Sequence, residues 1–167
     1  DYLSQRLPAW ERLIRPRAAR NILEVGSLEG RSACWFLEAF PQAHLTCVDP
    51  FESGASEARF DHNTRLAGAG NRLTKLRQTS EVALPQLVRS SYDLIYIDGS
   101  HQTADVLFDA VMSERLLLPG GIMIFDDYQA NHRPDRLPGL AVDLLTELRP
   151  ELEVLHRDYQ LILRKPG

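Results

Sequence analysis

Short apolar runs alternate with longer segments of helical spacing along almost the whole chain. Asn21–Val25 (NILEV), His44–Val48 (HLTCV), Leu73–Gln78, Tyr92–Ile97 (YDLIYI) and Ile122–Phe125 (IMIF) read as strands. They lack strict apolar–polar alternation, which fits strands covered on both faces. Between them, Arg31–Ala39 carries Trp35 and Phe36 at helical spacing and is stopped by Pro41. Residues 56–67 read as a polar helix. Glu81–Arg89 reads as a helix with Pro85 as a kink or as the sign of a late start. Residues 103–117 give the clearest helix, with Val106, Leu107, Ala110, Val111, Leu117 and Leu118 recurring every three or four positions, ended by Pro119-Gly120-Gly121. Leu140–Leu148 is a further helix. Glu153–His156 and Tyr159–Arg164 alternate apolar and polar residues and predict a terminal hairpin.

This order predicts an α/β domain with a mostly parallel sheet, helices on both faces and right-handed crossovers. Residues 1–167 read as one domain: an N-terminal helical segment over 1–20 and a core over 21–165. In the first segment Leu3, Leu7, Trp10, Leu13 and Ile14 share an inward face. Ligands of such sheets sit beyond the carboxyl ends of the strands, where strand order reverses. Asp49, Asp98, Asp126 and Asp127 each fall just after an apolar run. A core strand has no use for an acid at its end, whereas a ligand site does.

Composition narrows the picture. The chain has 167 residues, 19 Lys+Arg against 23 Asp+Glu, and a formal net charge of −4. That argues against a general nucleic-acid binder, which carries a basic surface. Arg6, Arg12, Arg15, Arg17 and Arg20 crowd the first twenty residues and read as the solvated face of a helix. With 2 Cys there is no disulfide framework, so stability comes from packing. No apolar run reaches the roughly 18–20 residues that span a bilayer, and no basic-then-apolar leader opens the sequence. A cytoplasmic location without membrane contact is the expectation.

Two groups of residues carry the chemistry. Glu24-Val25-Gly26-Ser27-Leu28-Glu29-Gly30 closes the first strand and opens the first core helix. Its Gly-x-x-x-Gly spacing is not the Gly-x-Gly-x-x-Gly of dinucleotide pyrophosphate sites, and Leu28 stands where the middle glycine would be. Glu24 suits a cationic or amino-bearing ligand better than phosphates. Asp49, ending the second strand, is placed to accept hydrogen bonds from ribose hydroxyls. At the other end Asp98, Asp126 and Asp127 lie on neighbouring strand ends, and adjacent strands are only about 4.8 Å apart. Such carboxylates repel one another unless a cation joins them, and all-oxygen ligation selects a hard ion such as Mg²⁺. His101, three residues after Asp98, sits in the loop that leaves this site.

ILEVGSLEGRSACWFL followed by CVDPF resembles the first two motifs of the class I S-adenosylmethionine-dependent methyltransferases. YDLIYIDGSHQTADVLFDAV with the later LLLPGGIMIFDDY is similar to a narrower group, the metal-dependent small-molecule O-methyltransferases of the macrolide- and cephalosporin-tailoring type, with catechol-type enzymes more distant. The likeness runs from about Asn21 to Lys165. It implies a Rossmann-like, doubly wound, seven-stranded sheet ending in an antiparallel hairpin. It implies that Glu24, Gly26, Ser27 and Gly30 hold the methionine part of S-adenosyl-L-methionine and that Asp49 binds its ribose. Thr79 and Ser80 match the position bordering the adenine, although Gln78-Thr79-Ser80 replaces the glycine and acid that relatives often show before the serine. By the same resemblance Asp98, Asp126 and Asp127 ligate the metal, Asp98 also bordering the cofactor, and His101 is the general base. The expected reaction is methyl transfer to a hydroxyl of a small acceptor.

Three other readings stand beside this one. A non-catalytic S-adenosylmethionine-binding module would lack metal-dependent turnover. An NAD-dependent oxidoreductase is opposed by Leu28 and by the lack of an obvious Tyr-x-x-x-Lys pair. A nucleic-acid methyltransferase acting on exocyclic amines would show an Asn/Asp-Pro-Pro-aromatic motif where IDGSH stands. Residues 128–139, with Tyr128, Asn131, His132 and Arg133, are expected to help close the site over a polar acceptor. The short N-terminal segment leaves little protein to cover the acceptor, so a second subunit of a homo-oligomer or a closing lid is expected to complete the pocket.

Overall fold

The computed structural model describes residues 3–130 and 136–167. Seven strands form one sheet in the order β3-β2-β1-β4-β5-β7-β6. They are β1 (Asn21–Val25), β2 (His44–Val48), β3 (Leu73–Leu76), β4 (Tyr92–Ile97), β5 (Leu117–Phe125), β6 (Glu153–Arg157) and β7 (Leu161–Arg164). The first five run parallel, and β7 pairs antiparallel with both β5 and β6. The helices are α1 (Leu7–Leu13), α2 (Arg31–Ala39), α3 (Gly54–Leu66), α4 (Ser80–Ala83), α5 (Thr103–Leu116) and α6 (Pro138–Leu148). This is the Rossmann-like sheet with a C-terminal antiparallel pair that the sequence pattern and resemblance implied.

Successive side chains of a strand point to opposite faces, and the central strands β1, β2, β4, β5 and β7 feed two cores. Ile22, Leu94, Tyr96, Ile124 and Ile162 pack with Trp10, Phe36 and Phe60 on the face of α1, α2 and α3. Leu23, Val25, Ile95, Ile97 and Phe125 pack with Val106, Ala141 and Leu145 on the face of α5 and α6. That two-sided burial is why the strands read as continuous apolar runs. Trp10 and Ile14 are buried in the first core, as the inward face of the N-terminal segment predicted. Among the described residues no helix is long and apolar enough to cross a membrane.

Three boundaries differ from the sequence reading. Pro119-Gly120-Gly121 lies inside β5: Leu117 pairs with Tyr92 and Ile122 with Leu94, so the residues between them bulge out of the ladder. Gly120, at φ 78°, takes the left-handed turn this requires. The segment after β3 is a short α4 followed by a 3-10 turn over Leu84–Gln86. Pro85 has no N–H to continue the α-helical ladder, so the turn tightens there. Finally, α3 begins at Gly54 and buries Ser56, Phe60 and Thr64 at four-residue spacing. Small polar residues form part of its inward stripe, which hid its start.

Strand order reverses between β1 and β4, and their two exit loops meet at that crevice. Gly26, at φ 84°, is pressed against the β4 exit. A Cβ on it would stand 2.0 Å from the Asp98 carbonyl oxygen. Only glycine allows this approach.

Candidate active site

The loop after β1 is built around two acids. Asp49, just past β2, accepts the backbone N–H groups of Ser27 at 2.9 Å and Leu28 at 2.8 Å through one oxygen, and that of Phe51 at 2.7 Å through the other. It therefore fixes the course of the loop and keeps about one of its roughly four acceptor sites open. Leu28 (φ 44°) and Phe51 (φ 47°) adopt left-handed backbone on either side of it. Side chains rarely tolerate that conformation except where neighbouring contacts impose it.

Glu24 is fully buried. One of its oxygens accepts the Ser27 hydroxyl at 2.6 Å and the Cys47 thiol at 3.3 Å. The other, Oε1, has no hydrogen-bond partner. Burial pushes its pKa up, against the hydrogen bonds from Ser27 and Cys47 that favour the charged form. A buried carboxylate oxygen without a donor costs on the order of 1–3 kcal/mol or more. A cationic ammonium or sulfonium ligand in this loop removes that cost. Gly30, at φ 81°, starts α2 beneath the loop, where a Cβ would press on the Phe60 ring at 3.0 Å. Thr79 and Ser80 stand at the opening of α4, and the Ser80 hydroxyl favours the charged form of buried Asp109.

At the other side of the crevice, the ends of β4 and β5 bring acids together through Tyr96. Its hydroxyl stands 2.9 Å from Asp98 Oδ2 and 3.0 Å from Asp126 Oδ2. Burial and the neighbouring charge of Asp126 push the Asp98 pKa up to about 8, against the Tyr96 hydroxyl, which favours its charged form. Asp126 Oδ1 accepts Gln160 Nε2 at 3.0 Å, and Gln160 Oε1 in turn accepts the Trp10 indole N–H at 2.8 Å.

Asp127 faces elsewhere. One oxygen is hydrogen-bonded to His101 Nε2 and the other accepts the Tyr159 hydroxyl. The bond to Asp127 raises the His101 pKa above its ordinary value, against the partial burial of the ring. Burial and the contact with Asp127 push Tyr159 up to about 12, so its hydroxyl stays protonated as a donor. Asp98, His101 and Asp127 each offer one ligand atom, all within 4.8 Å of one another. Oxygen ligands around one hard cation of the calcium size lie at most about 5 Å apart, and around Mg²⁺ about 4 Å apart. The two carboxylates and the imidazole are thus close enough together to share one divalent cation. Arg136 stands near enough for its charge to favour neutral His101, and its Nε is buried without a hydrogen-bond partner.

The residues expected from sequence fall into groups at the strand ends, with Thr79 and Ser80 at the opening of α4. Glu24, Gly26, Ser27, Gly30 and Asp49 shape the first loop. Asp98, His101 and Asp127 gather on the second. Asp126 adjoins them, with both oxygens engaged by Tyr96 and Gln160. Asn131, His132 and Arg133 lie outside the described residues. Sequence reasoning missed Tyr96, Tyr159 and Gln160. Tyr96 looked like one more core aromatic. Tyr159 and Gln160 reach the rim because antiparallel β7 starts where β5 ends, and the predicted hairpin was the only available signal for that.

The family described as "Methyltransferase domain" matches residues 23–128, and the chain belongs to it. The chain is 31% identical over 137 residues to the O-methyltransferase hkm8 of Aspergillus hancockii, covering 74% of this chain and 52% of that one. To the catechol O-methyltransferase of Mycobacterium tuberculosis it is 27% identical over 110 residues, covering 65% and 48%. The chain spans about half the length of the curated relatives it matches. Among solved structures it resembles an O-methyltransferase from Bacillus cereus in complex with SAH, with a TM-score of 0.78 at 17% identity, over 96% of this chain and 81% of that one. A likeness at that identity speaks for the fold.

Proposed function

We propose that the protein is an S-adenosylmethionine-dependent O-methyltransferase acting on a small hydroxylated molecule with the help of a divalent cation. One observation carries the reading. In a methyltransferase-domain fold, Glu24, with a buried oxygen that has no hydrogen-bond partner, lies two residues before Gly26, and Gly26 touches the β4 exit at Asp98, a member of the Asp98–His101–Asp127 cluster. Glu24 and the backbone of the first loop hold the cationic methionine end of the donor. The open acceptor site on Asp49 takes a ribose hydroxyl, and Thr79 and Ser80 border the adenine.

In the reaction the methyl carbon–sulfur bond breaks and a carbon–oxygen bond forms. The sulfonium becomes a neutral thioether, and the hydroxyl proton leaves to a base. His101 is that base: its ring is partly exposed, and Asp127 orients it and stabilises the imidazolium that forms. Asp98 and Asp127, with Asp126 beside them and His101 within reach, would hold a hard divalent cation. Such an ion lowers the pKa of a bound hydroxyl and fixes its direction. Much of the acceleration then comes from holding sulfur, carbon and oxygen in line.

The test is methyl transfer from labelled S-adenosylmethionine to a panel of catechol-type acceptors, with Mg²⁺ or with EDTA, beside calorimetry of S-adenosylhomocysteine and NADH. The expected result is micromolar binding of S-adenosylhomocysteine, none of NADH, and turnover lost in EDTA. Binding without turnover on any hydroxylated acceptor would make this a cofactor-binding module instead. NADH binding without S-adenosylhomocysteine binding would favour an NAD-dependent oxidoreductase instead.

A further inference from the structure

A cavity of about 230 Å³ opens between α1 and the turn joining β6 to β7, lined by Arg6, Arg12, His156, Asp158, Tyr159 and Gln160 among others. Two of these walls are also parts of the active site. Tyr159 donates its hydroxyl to Asp127, and Gln160 donates to Asp126. The cavity is therefore separated from the acid–histidine cluster by a single aromatic side chain. The Arg6 guanidinium lies over that ring, 3.9 Å from its centroid, so a cation, the ring and the Asp127 carboxylate stand in sequence from cavity to cluster.

The charge of the cavity is not balanced from within. Glu11, the acid on α1 beside Arg12, is taken by Arg15 at 2.7 Å and by the Trp35 indole at 3.3 Å. Among the described residues neither Arg6 nor Arg12 has a carboxylate within ion-pair distance. Asp158 on the rim offsets one of the two positive charges, and His156 adds a third nitrogen base to the wall. Planar guanidinium groups match a carboxylate through two parallel hydrogen bonds. A cavity of roughly 150 Å³ already admits benzene, and drug-sized ligands need roughly 300 Å³ or more. The volume here suits one substituted ring.

We infer that this cavity is the acceptor subsite, and that it takes a single-ring hydroxylated molecule carrying an anionic substituent, which Arg6 and Arg12 recognise while its hydroxyl takes the place of the Tyr159 hydroxyl beside Asp127. The inference rests on the methyl-transfer reading for its direction and adds the class of acceptor to it.

Catechol and 3,4-dihydroxybenzoate differ by one carboxylate, and the corresponding phosphonate separates carboxylate from phosphoryl recognition. Their binding to the full chain is measured by calorimetry, with and without S-adenosylhomocysteine, and their turnover as kcat/KM. The anionic members are expected to bind about tenfold or more tightly than catechol, the stronger of the two naming the natural substituent. Arg6→Gln with Arg12→Gln should bring the preference near unity with unchanged affinity for S-adenosylhomocysteine. Arg12→Gln alone, which disturbs no ring contact, should remove part of it. Equal binding of all three ligands, or a preference that survives the double substitution, overturns the inference while leaving methyl transfer in place. If S-adenosylhomocysteine fails to bind, the methyl-transfer reading falls, and the binding ratio measured without it still decides the subsite.

Discussion

The Trp10 indole N–H donates to Gln160 Oε1 at 2.8 Å, tying the N-terminal helix to the start of β7 across 150 positions of sequence. Gln160 passes the connection to Asp126, which shares the Tyr96 hydroxyl with Asp98. Every member of this chain of hydrogen bonds is mostly or wholly enclosed, so losing one leaves an unmet polar group in a dry place. Trp10→Phe keeps most of the packing and removes the donor. It should cost about 1–3 kcal/mol of stability, read as a fall in the urea midpoint. An unchanged midpoint would show that the bond carries no weight.

Asp109 provides a clean pH test. It is 1% exposed, and burial pushes it up to about 6 from 3.8, against the Ser80 hydroxyl that favours its charged form. A folded-state pKa above the unfolded value means the native state binds the proton more tightly. Stability therefore falls as pH rises from about 4 through 6, by about 3 kcal/mol in all. Asp109→Asn should flatten that part of the curve of unfolding free energy against pH. Parallel curves for the two proteins would refute the assignment.

His101 owes its raised pKa first to Asp127. In metal-free protein its ring should titrate above 6.5 by nuclear magnetic resonance. Asp127→Asn should lower the midpoint, because partial burial then acts alone. A midpoint indifferent to that substitution would separate the two residues in solution.

His101→Ala should reduce kcat by about 100-fold or more, the usual scale of a lost general base, with S-adenosylhomocysteine affinity held within about twofold. Equal losses in both would make His101 a binding residue. Asp98→Ala and Asp127→Ala should each abolish the response of turnover to Mg²⁺. A full response in both would remove the cation from the mechanism.

Much of this arrangement is legible in the chain. Strands buried on both faces must be apolar throughout, so β1, β2 and β4 show their limits directly, and acids just beyond them mark the rim. Adjacent acids are harder to sort. Asp126 and Asp127 look equivalent in sequence, yet consecutive residues at a strand end leave the backbone in different directions. Asp127 also turns into left-handed backbone at φ 53°. One goes to Tyr96 and Gln160, the other to His101 and Tyr159. The contributions of Tyr159 and Gln160 depend on which strand β7 joins and in which direction. That is decided by packing across the whole sheet and has no local signature. Pro119-Gly120-Gly121 misled for a related reason, since a helix stop and a strand bulge use the same residues.

On the methyl-transfer reading, the contact of Gly26 with the Asp98 carbonyl means that the donor-holding loop and the acid-bearing loop share one hinge pin. Any side chain there, even a methyl, must wedge the two halves of the crevice apart. Damage introduced on the nucleotide side would then be felt as misalignment of the reacting atoms, and tighter grip on the donor would come bundled with a better-aimed acceptor.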